Sequence, residues 1–246
     1  MTFCIAMKIE DGIVAIADSR ITSGTEQTLA RKVTVHQKPS HSLFLMTSGL
    51  RSVRDKALTY FEEKIEEEGS KFDKMYKAVN HFTEQIRIVA EEDKPALEES
   101  GLSFNLHCII GGQLEKDDEH KLFLVYPQGN WIEVTMETPY QIIGERGYGK
   151  PIMDLGLNFH SSPITALKVG FLAFDATRRS ATDVGFPIDV VHYRKDSFKI
   201  VEYQYERSEL EEVCAWWKER LRQSLEELPA NWTNNLLAPF NKISGA

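Results

Sequence analysis

The chain opens MTFCIAMKIEDGIVAIADSR (1–20), and the reading of these residues decides the fold. Phe3, Ile5, Met7 and Ile9 fall on one parity, and Thr2, Cys4, Ala6 and Lys8 on the other. A period of two marks a β-strand with two distinct faces. A second β-like run covers 13–20, and Glu10-Asp11-Gly12 between the runs is a hairpin signal. If the turn uses those three residues, cross-strand partners have numbers summing to about 22. Thr2 then faces Arg20, and Asp18 is its diagonal neighbour on the same face. A two-residue turn shifts this register by one and moves Asp18 off the row of Thr2. Two readings of this end stand side by side: a polar sheet edge, or a Thr2 that becomes the N-terminus and reacts.

Outward from the hairpin, RKVTVHQ (31–37) and SLFLMTS (42–48) are two more strands, joined by a Pro39-Ser40 turn. The period then changes. Leu50, Val53, Ala57, Phe61 and Ile65 recur at helical spacing until Gly69. Phe72, Met75, Val79, Phe82, Ile86 and Val89 give a second helix, which the sequence ends before Pro95. Strands return at 102–112, 121–127, 131–137 and 140–145. Helical spacing resumes after Tyr148-Gly149-Lys150, and Ser162-Pro163 caps a further helix with Ile164, Leu167, Phe171 and Phe174 inward. Strands at 185–194 and 197–204 follow. Ser208 with Glu211 reads as a capping box for a last helix, 208–228, with Leu210, Val213, Trp217, Leu221 and Leu225 on one stripe. The tail 229–246 reads as irregular. Antiparallel blocks alternating with helix pairs predict an α+β fold, a four-layer αββα sandwich of two antiparallel sheets, as a single domain over 1–246.

Composition bounds the function. An apolar share of 42% and an aromatic share of 10% suit a globular chain. No window approaches the roughly 20 apolar residues of a membrane span, and no secretory leader is visible. The net charge of −8 argues against nucleic acid and against an anionic membrane surface. Cys4, Cys108 and Cys214 are far apart, form no metal spacing, and suit a reducing cytoplasm. No metal site is expected.

Read together, the first fifty residues resemble the proteasome β-type subunits of the N-terminal-nucleophile hydrolases. The carriers are Thr2, the Asp18-Ser19-Arg20 run, Lys32 in ARKVTV, and Ser48-Gly49 before a helix. IGERGYGKPIMD (143–154) and FDATRRSATDVGFPIDVVHY (174–193) resemble the bacterial branch called Anbu, the ancestral β-subunit. The resemblance runs from Thr2 to about residue 204 and implies the αββα fold. Conventional β-subunits carry a propeptide before the threonine. Here Met1 alone precedes it, and its removal by methionine aminopeptidase is expected.

The resemblance implies a threonine-type amide hydrolase with Thr2 as nucleophile, Lys32 beside it, Asp18 orienting Lys32, and Gly49 offering a backbone N–H to the oxyanion. A free α-amine titrates near ~8 and serves as the base. Ser19 and Arg20 would support the site. The family places a serine after the glycine of the strand ending near 144, where this chain has Glu145. It also places an Asp and a Ser in a loop near 180, where Ser180, Thr182 and Asp183 are the candidates. Beside Thr2, Glu145 would raise the amine's pKa unless Arg146 or Lys32 neutralised it. No cofactor is required. The resemblance also implies self-association into a ring or helical array, with a peptide or amide substrate. A small-molecule amidase of the same fold and an inert assembling subunit are the alternative readings. An ATPase partner and the cleavage specificity are not written in the sequence.

Overall fold

The opening run forms its hairpin with the tighter of the two turns. In the computed structural model, which describes residues 2–23, 26–68 and 72–241, β1 (Phe3–Ile9) pairs antiparallel with β2 (Gly12–Asp18). The register runs from Cys4 opposite Ala17 to Ile9 opposite Gly12, so Glu10 and Asp11 alone make the turn. The three-residue expectation is corrected by one position. Arg20 does not pair with Thr2. It opens a short hairpin that the sequence reading missed, β3 (Arg20–Ser23) with β4 (Glu26–Leu29).

Then come β5 (Val33–Lys38), β6 (His41–Gly49), α1 (Arg51–Glu68) and α2 (Met75–Glu99). Next are β7 (Leu106–Leu114), β8 (Lys121–Val125), β9 (Trp131–Glu133), β10 (Tyr140–Gly144), α3 (Lys150–Gly156) and α4 (Pro163–Ser180). Strands β11 (Ile188–Arg194) and β12 (Ile200–Tyr205) follow. Five strands make one antiparallel sheet in the order β10-β1-β2-β11-β12, and five make the other in the order β5-β6-β7-β8-β9.

Both faces of each sheet are covered, which is why every residue of β1 and β2 is buried. Cys4, Ala6, Ala15 and Ala17 look into the space between the sheets, with Phe44, Met46 and Ile109 from the other side. The alternate residues face outward: Phe3 meets Phe174 of α4, and Met7 and Ile16 close on Gly170. Beyond the second sheet, Leu45, Ile110 and Phe123 pack under Val53, Phe61, Phe82 and Ile86 of α1 and α2. These are the four layers of an αββα sandwich.

Several boundaries differ from expectation for identifiable reasons. Helix α2 runs through Pro95, because Leu97 still reaches the core beneath α1 and α2. The expected stop of α1 at Gly69 lies outside the described residues. Ser162 caps α4 as expected, accepting from the Thr165 N–H at 3.1 Å.

The chain divides into two units, one ending at Glu206 and one starting at Arg207. The second unit holds a 3-10 turn (Arg207–Leu210), α5 (Glu211–Glu227), a 3-10 turn (Asn231–Thr233) and α6 (Asn234–Asn241). The Ser208 capping box is not formed: α5 begins after Leu210, with no side-chain cap. The tail, expected to be irregular, contains α6. Val213, Leu221 and Leu225 of the expected stripe are exposed.

Candidate active site

Three strand ends converge on Thr2. Its carbonyl accepts the Glu145 N–H at 2.7 Å, which hooks the N-terminus onto the end of β10. Gly144 makes this possible. Its φ is +83°, and a Cβ there would stand 1.9 Å from the Thr2 carbonyl oxygen. One residue on, the Phe3 N–H donates to Asp18 Oδ1 at 2.8 Å. The corrected register puts these two residues at the same level and brings the β1 backbone, rather than the Thr2 side chain, to the carboxylate.

Asp18 is fully buried, and Lys32 is 4% exposed at its side chain. Lys32 lies just before β5, and its Nζ donates to Asp18 Oδ1 at 2.6 Å and to the Arg20 carbonyl at 2.7 Å. Burial raises the Asp18 pKa. The Lys32 charge, its hydrogen bond, and the N–H groups of Phe3 and Gly185 pull the other way. Buried charges persist only when paired and hydrogen-bonded. Lys32 Nζ and Asp18 Oδ1 meet both conditions, while the buried Asp18 Oδ2 has no hydrogen-bond partner among the described residues.

The segment VGFPID wraps the end of β2. Gly185 lies against the Arg20 guanidinium, where a Cβ would come within 2.4 Å of it. The Pro187 carbonyl accepts the Ser19 N–H at 2.9 Å, and Ile188 pairs with Asp18. Ser19 Oγ donates to Asp189 Oδ2 at 2.7 Å. Each residue of Asp18-Ser19-Arg20 is thus fixed by this one downstream segment.

Thr2, Lys32, Gly49, Arg20 and Glu145 line one cleft of about 490 Å³. Asp18 lies behind it, under Lys32. Ser19 is buried and turned to Asp189, away from the cleft lining. Asp183 sits in the turn after α4 and is not among the lining residues; Arg20 reaches that turn, donating to the Thr182 carbonyl at 3.1 Å. Glu145 turns its carboxylate back on its own loop, accepting the Gly147 N–H at 2.9 Å. Gly49 has φ +142°, and a Cβ there would meet the Asn105 carbonyl at 2.1 Å. That approach by itself demands a glycine, whatever else its backbone does. Met1 lies outside the described residues.

Sequence reasoning missed Arg51, Arg54, Ser103 and Asn105, which line the same cleft. The signal for the two arginines was present: two cations in the opening of α1, whose first turn holds no acidic residue. Among the described residues, no group of three or more His, Cys, Asp or Glu side chains is arranged to hold a metal. No helix there is long and apolar enough to cross a membrane.

Among solved structures, Anbu (ancestral beta-subunit) from Yersinia bercovieri is similar at 30% identity and a TM-score of 0.85, over 93% of this chain and 98% of that one. This chain belongs to the Anbu family. An Anbu (Gly-1) mutant from Hyphomicrobium sp. strain MC1 is similar at 29% identity and a TM-score of 0.85, over 94% of this chain and 99% of that one. The helical assembly of the Anbu complex from Pseudomonas aeruginosa gives 29% identity and a TM-score of 0.87, over 93% and 97%. No family profile matches the chain, and no curated protein matches it. An Anbu chain is a proteasome-like β-subunit, so the fold expected from the sequence is the fold found. The two Anbu-like motifs also acquire physical roles. IGERGYGKPIMD holds Thr2 through Gly144 and Glu145, and VGFPID holds the strand end that carries Asp18.

Proposed function

We propose that this Anbu chain is a proteasome-like threonine hydrolase of peptide or other amide bonds, with Thr2 as nucleophile once Met1 is removed. The observation that carries the reading is Lys32. It is buried, charge-paired to Asp18, anchored to the Arg20 carbonyl, and lines the same cleft as Thr2.

Removal of Met1 turns the Thr2 nitrogen from an amide into an amine that can take a proton. The Thr2 hydroxyl attacks the substrate carbonyl carbon, and its proton passes to this amine. The Lys32 ammonium favours the developing alkoxide and disfavours the protonated amine, so both effects help at neutral pH. Asp18 holds Lys32 in place. The Gly49 N–H receives the negative charge on the former carbonyl oxygen. The amine then gives its proton to the leaving nitrogen as the C–N bond breaks, leaving an ester on Thr2. Water hydrolyses that ester and restores the hydroxyl. Glu145 plays no direct part, because its carboxylate is engaged with Gly147. Ser19 and Arg20 are positioning residues that act through Asp189 and through the 182–185 segment, and Asp183 belongs to that support. No cofactor enters the scheme.

Self-association is part of the proposal, since the Pseudomonas aeruginosa relative was solved as a helical assembly. A cytoplasmic location agrees with three free cysteines, all buried. The test is modification by a threonine-reactive β-lactone. Wild-type protein should take up one equivalent at Thr2, and Lys32→Ala should take up none. Normal labelling of Lys32→Ala would remove Lys32 from the mechanism.

A further inference from the structure

The cleft carries more positive charge than its proposed chemistry uses. Lys32, Arg20, Arg51 and Arg54 line it against a single carboxylate, Glu145, in a chain whose net charge is −8. Lys32 is matched by Asp18 at 2.6 Å. Arg20 donates to a neutral carbonyl, that of Thr182. Among the described residues, Arg51 and Arg54 share one carboxylate, Asp55, at 3.4 Å and 2.6 Å. Arg54 grips it with both Nε and Nη2, and its Nη1 reaches the Arg31 carbonyl only at 3.4 Å. The Arg54 side chain is 16% exposed and lines the cleft in partly desolvated surroundings. Arg51, also in the lining, is 64% exposed.

The placement is also unfavourable for the helix. Arg51 and Arg54 occupy the N-terminal turn of α1, the positive end of its dipole, where a cation is disfavoured. The first turn of α1 contains no acidic residue that would offset it. Two arginines at the wrong end of a helix, sharing one partner beside the proposed nucleophile, fit an anion that arrives from outside. Guanidinium groups bind carboxylates through paired N–H donors.

We infer that the Thr2 cleft selects substrates carrying a carboxylate next to the scissile amide, with Arg54 and Arg51 as the recognising residues. This rests on the proposed function for its location, since it deepens the same site. The carboxylate is supplied either by an acidic side chain or by a free C-terminus.

The experiment measures binding on the Thr2→Ala protein, where no chemistry occurs, by fluorescence anisotropy of labelled tetrapeptides at low salt. Three probes are compared: Ala-Ala-Glu-Ala amide, Ala-Ala-Leu-Ala amide, and Ala-Ala-Leu-Ala with a free C-terminal carboxylate. The Glu probe, the free-acid probe, or both should bind about tenfold tighter than the neutral amide, the scale of one charge-assisted contact. Which of them does so identifies the source of the carboxylate. High salt should erase most of the preference. Arg51→Gln, at an exposed position that does not endanger folding, should reduce it, and Arg54→Gln should abolish it. Equal binding of all three probes overturns the inference. Labelling of wild-type protein by the β-lactone is read separately. Normal labelling with no acidic preference sinks this inference alone. An acidic preference with no labelling sinks the threonine mechanism and leaves the anion site standing.

Discussion

Replacing Lys32 by methionine tests the buried pair that organises the site. The change keeps the aliphatic stem and removes the ammonium. Asp18 is then left fully buried, with the Phe3 N–H at 2.8 Å on Oδ1 and, among the described residues, no hydrogen-bond partner on Oδ2. Removing one member of a buried pair costs about 3–5 kcal/mol, because the other is left as an uncompensated charge. The Lys32→Met protein should lose about that much stability at pH 8. The sign with pH follows from Asp18, whose pKa is already raised by burial and rises further without Lys32. Between the ordinary value of 3.8 and the raised one, the folded state binds more protons than the unfolded. The loss should therefore shrink as pH falls through the raised pKa. Adding Asp18→Asn removes the orphaned charge and should restore about half of the lost stability or more. Neither variant should take up the β-lactone, which separates the structural effect from the chemical one. Urea unfolding at one fixed protein concentration is the assay, because association shifts apparent stability. A single variant that loses less than about 1 kcal/mol, or a double variant no more stable than the single, would refute the reasoning.

Gly144→Ala puts a Cβ 1.9 Å from the Thr2 carbonyl oxygen at a φ of +83°. The N-terminus must shift, and a misplacement of about 1 Å costs roughly 10²-fold in rate. β-Lactone labelling should slow by that order, while far-ultraviolet circular dichroism stays unchanged. His120 is buried, with Nε2 on the Ile9 carbonyl at 2.8 Å, and burial pushes its pKa down to about 4 from 6.5. Its neutral form is the folded one, so stability is complete above pH 6.5 and falls as pH drops from 6.5 towards about 4. The total is about 3 kcal/mol at most. Because His36, His107 and His192 are also held low, the readout is the difference between wild type and His120→Gln: the variant's stability should be flatter over this range.

The layers were legible in the sequence because periodicity reports burial. The two parities of β1 face different layers, although all its residues are buried, and the helical stripe of Phe72 to Val89 packs into the core under α1 and α2. Register was not legible. Glu10-Asp11-Gly12 permits a two- or a three-residue turn, and tertiary pairing with β10 and β11 selects the shorter one. The hairpin of β3 and β4 escaped because Arg20–Leu29 is polar and lacks an apolar parity. Pro95 misled because a lost backbone donor weighs less than the seating of Leu97. At the candidate site, the resemblance brought out Thr2, Asp18 and Lys32. The two arginines of α1 were visible as cations at a helix start, but charge at that position does not by itself say that their side chains line the Thr2 cleft.

The central claim is that Thr2 is a free, reactive N-terminus. Intact-mass measurement of purified protein, with and without a threonine-reactive β-lactone, tests it most directly. The account predicts a mass lacking one methionine, plus one inhibitor equivalent that maps to Thr2 and is absent in Thr2→Ala. A mass that retains Met1, or a trimmed chain that takes up no inhibitor, would contradict it.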